Sequence, residues 1–325
     1  MAITMNRSKV VVVGAGLVGT STAFSLITQS VCDEVMLIDV NRAKARGEVM
    51  DLCHSIEYLN RNVLVTEGDY SDCKDADLVV ITAGPPPKPG QSRLDTLSLS
   101  ADIMRTIVEP VMKSGFNGIF LVVTNPVDSI AHYVYQLSGL PKQQVIGTGT
   151  AIDSARLKHF LGDILHVDPR SIQAYTMGEH GDSQMCPWSL VTVGGKNIME
   201  IVRDNKEFSN IDFNEILYKV TRVGFDILAV KGTTCYGIAS AAVGIIKAIL
   251  YDENSILPVS TLLDGEYGEF FVYAGVPCIL NRFGVKDVVE VSMTEAELNR
   301  FRASVRVVRG AIKNLKDRDR KALTL

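Results

Sequence analysis

The chain has no excess of positive charge. Its 33 lysines and arginines are outweighed by 37 aspartates and glutamates, for a formal net charge of −4. Holding a phosphodiester backbone takes a concentrated basic footprint, so this balance argues against a nucleic-acid partner and, for the same reason, against a membrane surface. Low-complexity tracts, linkers and fixed-period repeats are also missing, which argues against repeat arrays and tethers. The six cysteines (Cys32, Cys53, Cys73, Cys186, Cys235, Cys278) form no CxxC pair and none of the spacings of zinc ligands, so they read as reduced core thiols with no metal role. Reduced thiols imply a cytoplasmic compartment. The uncharged stretch from Val10 to Cys32 is the nearest approach to an export signal or membrane segment. Glycine, serine and threonine are spread through it and no small-residue cleavage site follows, so a buried strand, turn and helix fit it better.

What the chain does contain is enough apolar residue, 46% of 325, to bury two cores. Lys9–Val13 is a β-branched run leading into Gly14-Ala15-Gly16-Leu17-Val18-Gly19, after which Thr20–Ser30 reads as a helix. The next apolar run, Glu34–Ile38, ends in Asp39, 20 residues beyond Gly19. Strand, GxGxxG turn, helix and spaced acid together predict a dinucleotide site. Gly14 permits the tight turn, Gly16 the approach of a pyrophosphate to the helix N-terminus, and Gly19 the packing of helix on sheet. Asp39 would accept from both ribose hydroxyls and repel a 2′-phosphate, so NAD is favoured, while Arg42 stops short of excluding NADP.

Strands predicted at Val63–Glu67, Leu78–Ala83, Ile119–Thr124 and Gln144–Gly147 alternate with helices at Ala43–His54 and Asp95–Ser114. This is α/β: an N-terminal Rossmann, doubly wound parallel sheet over residues 1–148. Ligands bind beyond the carboxyl ends of such strands, which puts Thr82-Ala83-Gly84 and Thr124-Asn125-Pro126 where cofactor and substrate meet. Residues 149–325 read as a C-terminal α+β substrate domain: strands near Gln173 and Val191, helices at Ile211–Lys231 and Thr233–Leu250, and several short strands between Ile256 and Val291. The basic, amphipathic stretch Thr294–Lys321 reads as a solvated helix.

One histidine has neighbours suited to chemistry. His180 lies in Met177-Gly178-Glu179-His180-Gly181-Asp182-Ser183, without helical periodicity, and imidazole is the side chain best matched to proton transfer near neutral pH. His54, His132, His159 and His166 have no such set of partners and read as structural. Gly84 to Asp95 carries too many prolines and glycines for a regular element and suits a lid, within which Arg93 is either a solvated cation or an arm that polarises a substrate carbonyl. Asp153 and Arg156 share a helical face. They form either a surface ion pair or a working pair, with Arg156 clamping a carboxylate and Asp153 orienting His180.

Over almost its whole length the chain resembles the NAD-dependent L-lactate and malate dehydrogenases. The resemblance rests on Gly14–Gly19, Asp39, Lys88-Pro89-Gly90-Gln91-Ser92-Arg93, Thr124-Asn125-Pro126-Val127-Asp128, Asp153-Ser154-Ala155-Arg156 and Gly178–Ser183. It implies that His180 moves the proton, Asp153 partners it, Arg156 anchors a carboxylate, Arg93 polarises the carbonyl, and Asn125 touches substrate and nicotinamide. It also implies cofactor contacts at Val18, Lys44, Gly84 and Thr124.

At the position before Lys-Pro-Gly, malate enzymes of the family carry arginine and lactate enzymes glutamine, whereas this chain has Pro87. Without arginine a second substrate carboxylate would be unpaired, so malate falls behind. The segment Lys231–Ile238 resembles that of lactate enzymes, with Thr234 bounding the substrate pocket and Ile238 beside the nicotinamide. The substrate expected from this resemblance is pyruvate, with some tolerance of other 2-oxo monocarboxylates. Relatives activated by fructose 1,6-bisphosphate have arginine where this chain has Lys158 and histidine where it has Gln173, so little activation is expected. A homo-oligomer, as a tetramer, is implied, without exchange of N-terminal arms because so few residues precede the first strand.

Overall fold

A computed structural model describes residues 7–85 and 93–322, with the side chains of 93–95 and 320–322 outside that description. The first half alternates β1 (Lys9–Val13), α1 (Leu17–Thr28), β2 (Glu34–Ile38), α2 (Arg42–Ser55), β3 (Leu64–Glu67), β4 (Leu78–Ile81), α3 (Arg93–Lys113), β5 (Ile119–Val122), α4 (Val127–Ser138) and β6 (Val145–Gly147). β1, β4, β5 and β6 are buried along their whole length, which is why they read as unbroken apolar runs. The parallel strands lie in the order β6-β5-β4-β1-β2-β3. The strand order reverses between β1 and β4, and in sheets of this kind ligands bind above the carboxyl ends of the strands at that point.

The second half contains α5 (Ala151–Leu165), β7 (Ile172–Gln173), β8 (Thr192–Val193), β9 (Lys196–Asn197), α6 (Ile198–Asp204), α7 (Phe213–Lys231), α8 (Tyr236–Leu250), β10 (Ser255–Asp264), β11 (Phe270–Asn281), β12 (Gly284–Val288) and α9 (Glu295–Ala322). β7, β8 and β9 make a small antiparallel sheet. β10, β11 and β12 do not stand apart: β10 joins β6 at Ser260 and Gly147, so one mixed sheet of nine strands runs through the molecule. Two of these strands are long, 10 and 12 residues, where the sequence suggested several short ones. Pro258 and Pro277 look like breaks in the sequence, yet they face each other across β10 and β11. Opposed prolines have no N–H to exchange, so they fit a pair that the antiparallel ladder leaves unbonded.

Helix α9 corrects a second expectation, because it is solvated on its basic face only. Phe301, Ser304, Val305, Val308, Ile312 and Leu315 are buried at spacings of three and four, packed toward β11 and α4. Each such apolar side chain contributes about 1.5–3 kcal/mol, so α9 is part of the core. Five cysteines are buried as expected, but Cys53 is exposed, since α2 turns that face to solvent. Among the described residues no cluster suits a metal ion, and no helix is long and apolar enough to cross a membrane.

Candidate active site

The glycine turn is fitted to its neighbours by backbone alone. Gly14 has φ of +108°, and a Cβ there would come within 2.8 Å of the Ala83 nitrogen, so any side chain would be both strained and blocked. A Cβ at Gly19 would collide with the Gly14 carbonyl, which lets α1 lie directly on the turn. Gly16, by contrast, faces open space. It starts α1 without a side-chain cap, leaving the first-turn N–H groups directed at that space, as an anion requires. Asp39, at the end of β2, accepts from the Ala15 N–H at 2.7 Å and from the Asn41 N–H at 2.8 Å. That fixes its carboxylate beside the turn. These features fit a dinucleotide: a bare backbone for the pyrophosphate and a fixed acid for the ribose. Arg42 is paired with Asp69 and is not directed at a 2′-phosphate.

Beyond β4 and β5 the two loops are tied together. Thr82 Oγ1 donates to the Gly14 carbonyl at 2.9 Å, and Thr124 Oγ1 to the Ala83 carbonyl at 2.7 Å. Gly84 abuts the Thr124 methyl, with 2.9 Å between it and a Cβ built there. Asn125 is exposed at this edge, precedes a cis bond to Pro126, and accepts from Ser100 through its carbonyl.

The histidine loop is held by side chains from distant elements. His180 Nδ1 lies 2.5 Å from Asp153 Oδ2, and Arg156 Nη1 donates to Asp153 Oδ1 at 3.0 Å. One helix, α5, thus brings an acid and a cation to the same imidazole. Its burial pattern explains why: Asp153, Leu157 and Leu161 line the inner face, and Arg156 lies at its margin. Arg156 fits beside α7 because position 224 is glycine, where a Cβ would come 3.2 Å from Nη2.

Backbone anchors complete the placement. The His180 N–H donates to Asp128 Oδ2 at 2.8 Å, and Ser260 Oγ donates to Asp128 Oδ1 at 2.6 Å. The Glu179 N–H donates to Ser304 Oγ at 2.8 Å, and Gly178 exchanges backbone bonds with Gly275 of β11. Gly178 has φ of +94°, and a Cβ there would strike Ser304.

Burial opposes the imidazolium of His180, but the charge and hydrogen bond of Asp153, aided by Asp128, outweigh it and raise the His180 pKa. Asp153 shows the converse: burial pushes its carboxyl up, and His180 with Arg156 bring it below the ordinary value. The side chain of Asp153 is 1% exposed and that of His180 22%, so the acid is enclosed while the ring keeps an open edge. Burial pushes Asp128 up to about 6, against the hydrogen bonds from Ser260 and His180.

The other sequence-derived candidates are placed unevenly. Arg93 is the first residue of α3, with its side chain outside the description, and Pro87 lies outside the described residues. Val18 is half-buried against the core, and Lys44 is exposed on α2, with its backbone N–H tied to Asn41. Thr234 is half-buried in the elbow between α7 and α8, and Ile238 packs against the core. The start of α8 reaches α5 at Gly237, where a Cβ would meet the Ile152 side chain at 2.7 Å. Lys158 lies over the Tyr175 ring, and Gln173 is exposed on β7. Sequence reasoning missed Ser260, Ser304 and Gly275, and quoted Asp128 without giving it a task. The one local sign was the glycine before Glu179.

Residues 8–147 match the lactate/malate dehydrogenase NAD binding domain, and residues 150–318 the lactate/malate dehydrogenase alpha/beta C-terminal domain. The chain is 51% identical to L-lactate dehydrogenase 3 of Bacillus cereus over 95% of its own length and 98% of that protein's. It is 47% identical to L-lactate dehydrogenase 2 of another Bacillus cereus strain, over 93% of this chain and 96% of that one. Among solved structures, the ligand-bound minor L-lactate dehydrogenase of Enterococcus mundtii superimposes with a TM-score of 0.93 at 44% identity, covering 95% of this chain and 98% of that chain. With the glycine turn, the spaced acid and the histidine loop in place on this fold, the chain belongs to the lactate/malate dehydrogenase family.

Proposed function

We propose that this chain reduces pyruvate to L-lactate with NADH, with His180 as the proton donor. The observation that carries the reading is the 2.5 Å contact between His180 Nδ1 and Asp153, with Arg156 on the same acid. An ionised Asp153 holds the proton on Nδ1, which leaves Nε2 as the atom that gives its proton to the product oxygen and takes it back in the reverse direction. NADH, when bound, supplies the hydride to C2 of the 2-oxo acid.

Arg156 grips the substrate carboxylate through two parallel N–H groups, which a lysine could not reproduce. Arg93 stabilises the charge developing on the carbonyl oxygen as residues 84–95 close over the substrate and exclude water. Asn125 contacts substrate and nicotinamide, and Thr234 with Pro87 bounds the substrate side chain. The cofactor is held by Gly14, Gly16, Val18, Gly19, Asp39, Lys44, Gly84, Thr124 and Ile238, with Asp39 selecting NAD over NADP. Residues 1–148 form the dinucleotide-binding domain, and 149–325 form the substrate domain. The chain works in the cytoplasm as a homotetramer, and Lys158 with Gln173 makes a poor site for fructose 1,6-bisphosphate.

NADH oxidation measured in parallel with pyruvate, oxaloacetate and a branched 2-oxo acid tests the reading. Pyruvate is expected to give the highest kcat/KM, followed by the branched acid. Oxaloacetate ahead of pyruvate would overturn it in favour of malate.

A further inference from the structure

Asp39 and Arg42, the acid and the cation that bear on the choice between NAD and NADP, are drawn in opposite directions at the carboxyl edge of the sheet. Both follow the end of β2, which lies between β1 and β3. Asp39 turns toward β1, where its carboxylate accepts from the Ala15 N–H of the glycine turn at 2.7 Å. Arg42, the first residue of α2, turns the other way: its Nη2 donates to Asp69 Oδ1, in the turn that follows β3.

The ribose that Asp39 would recognise belongs on the β1 side, beside the glycine turn. A guanidinium is the group best shaped to grip a phosphate on that ribose, through two parallel N–H groups. Arg42 starts close to that place, since the N–H of the residue before it, Asn41, donates to Asp39 Oδ1 at 2.8 Å. Its side chain is directed elsewhere by an acid on a fixed turn. The Gly68 N–H donates to the Leu37 carbonyl at 3.1 Å, and a Cβ at Gly68 would come 2.2 Å from Met36 Sδ, so the turn lies directly on β2. The Asp69 N–H donates to Asp72 Oδ2 at 2.8 Å, and the Asp72 N–H to the Asp69 carbonyl at 3.0 Å. The backbone that carries the Asp69 carboxylate is therefore set without help from Arg42.

We propose that Asp69 is a specificity residue for the cofactor: it holds Arg42 toward β3 and so withholds from NADP the cation that its 2′-phosphate needs. The inference rests on the dinucleotide site and adds a second discriminator to it. Asp39 rejects the 2′-phosphate by its charge, and Asp69 rejects it by occupying the phosphate's partner. The two differ in size. Arg42 is 77% exposed and Asp69 54%, so theirs is a solvated pair, worth at most about a fivefold factor in binding. Asp69 therefore tunes a preference that Asp39 sets.

The test is fluorescence titration of NADH and of NADPH into the full chain without substrate, for the wild type, for Asp69→Asn, and for Asp69→Asn together with Arg42→Ala. Binding is read directly, so the result does not depend on which 2-oxo acid the chain reduces. Asp69→Asn removes the charge and keeps the shape. It should tighten NADPH by about three- to fivefold and move NADH by less than about twofold, because Asp69 touches Arg42 and not the cofactor. Adding Arg42→Ala should remove that gain. The same three are repeated on Asp39→Ser, where the main repulsion of the phosphate is gone and the same factor should appear. NADPH affinity unchanged by Asp69→Asn in both backgrounds would overturn the proposal. So would a gain that survives Arg42→Ala, which would assign the effect to the lost charge alone. A wild type that binds neither nucleotide would overturn the dinucleotide site itself, and the inference with it.

Discussion

The glycine turn at Gly14–Gly19 and the loop at Gly178–Ser183 are the two halves of the proposed site, yet they are held in place by opposite means. The turn is mostly backbone: its shape comes from φ of +108° at Gly14, from the bare contact of Gly19 with Gly14, and from two braces, Thr82 on the Gly14 carbonyl and Asp39 on the Ala15 N–H. The histidine loop borrows its shape from side chains far along the chain: Asp128 on α4, Asp153 on α5, Ser260 behind Asp128, and Ser304 on α9. A binding site for a cofactor can be made from backbone N–H groups, which any sequence supplies. A proton-transfer site needs one ring in one tautomer beside a buried acid, and this takes several committed side chains.

That contrast is sharpest when each region is broken separately. His180→Ala should lower kcat for pyruvate reduction by about 10²–10⁴-fold, the range of lost acid–base catalysis, while NADH binding measured by fluorescence titration is unchanged. Unchanged turnover would end the assignment. Gly14→Ala should do the reverse, weakening NADH binding and lowering the unfolding free energy by about 1–3 kcal/mol through strain at positive φ. Wild-type NADH affinity in that variant would show that the turn tolerates a side chain.

Asp128→Asn tests the anchors rather than the chemistry. Asp128 is pushed up to about 6, so the fold favours its protonated form: that stability is full at pH below the ordinary carboxylate value and is lost as pH rises through about 6. The asparagine variant, scanned thermally from acid to mildly alkaline pH, should therefore gain on the wild type as pH rises through about 6. Its His180 pKa should fall as well, because one raising charge is gone. Parallel melting curves at all pH values would contradict this. Ser304→Ala is the mildest change, removing one acceptor from the Glu179 N–H for about 1 kcal/mol of stability and a small loss of kcat, read by denaturant titration.

The same contrast explains what could be read from the residues. β1 and β2 emerged with the bounds their apolar runs suggested, and the turn, Asp39 and their spacing were local features. His180, Asp153 and Arg156 stood out because loop glycines and a helical three-residue step are local signals too. Ser260 and Ser304 were invisible: a serine within an apolar strand or an amphipathic helix carries no mark of the backbone N–H it will meet across the fold. β10 and β11 are longer than the short strands expected there; Pro258 and Pro277 sit inside them without breaking them because they face each other across the pair. The basic composition of α9 concealed a buried stripe.

The central claim is that Asp153 makes His180 the proton donor. It is tested most directly by kcat for pyruvate reduction against pH in the wild type and in Asp153→Asn. Reduction needs protonated His180, so the wild-type rate should fall only as pH passes above the ordinary histidine range, because Asp153 and Asp128 raise the pKa against burial. In the variant the falling limb should move down by about one pH unit or more, with kcat reduced throughout. A falling limb at the same pH in both proteins would contradict the account.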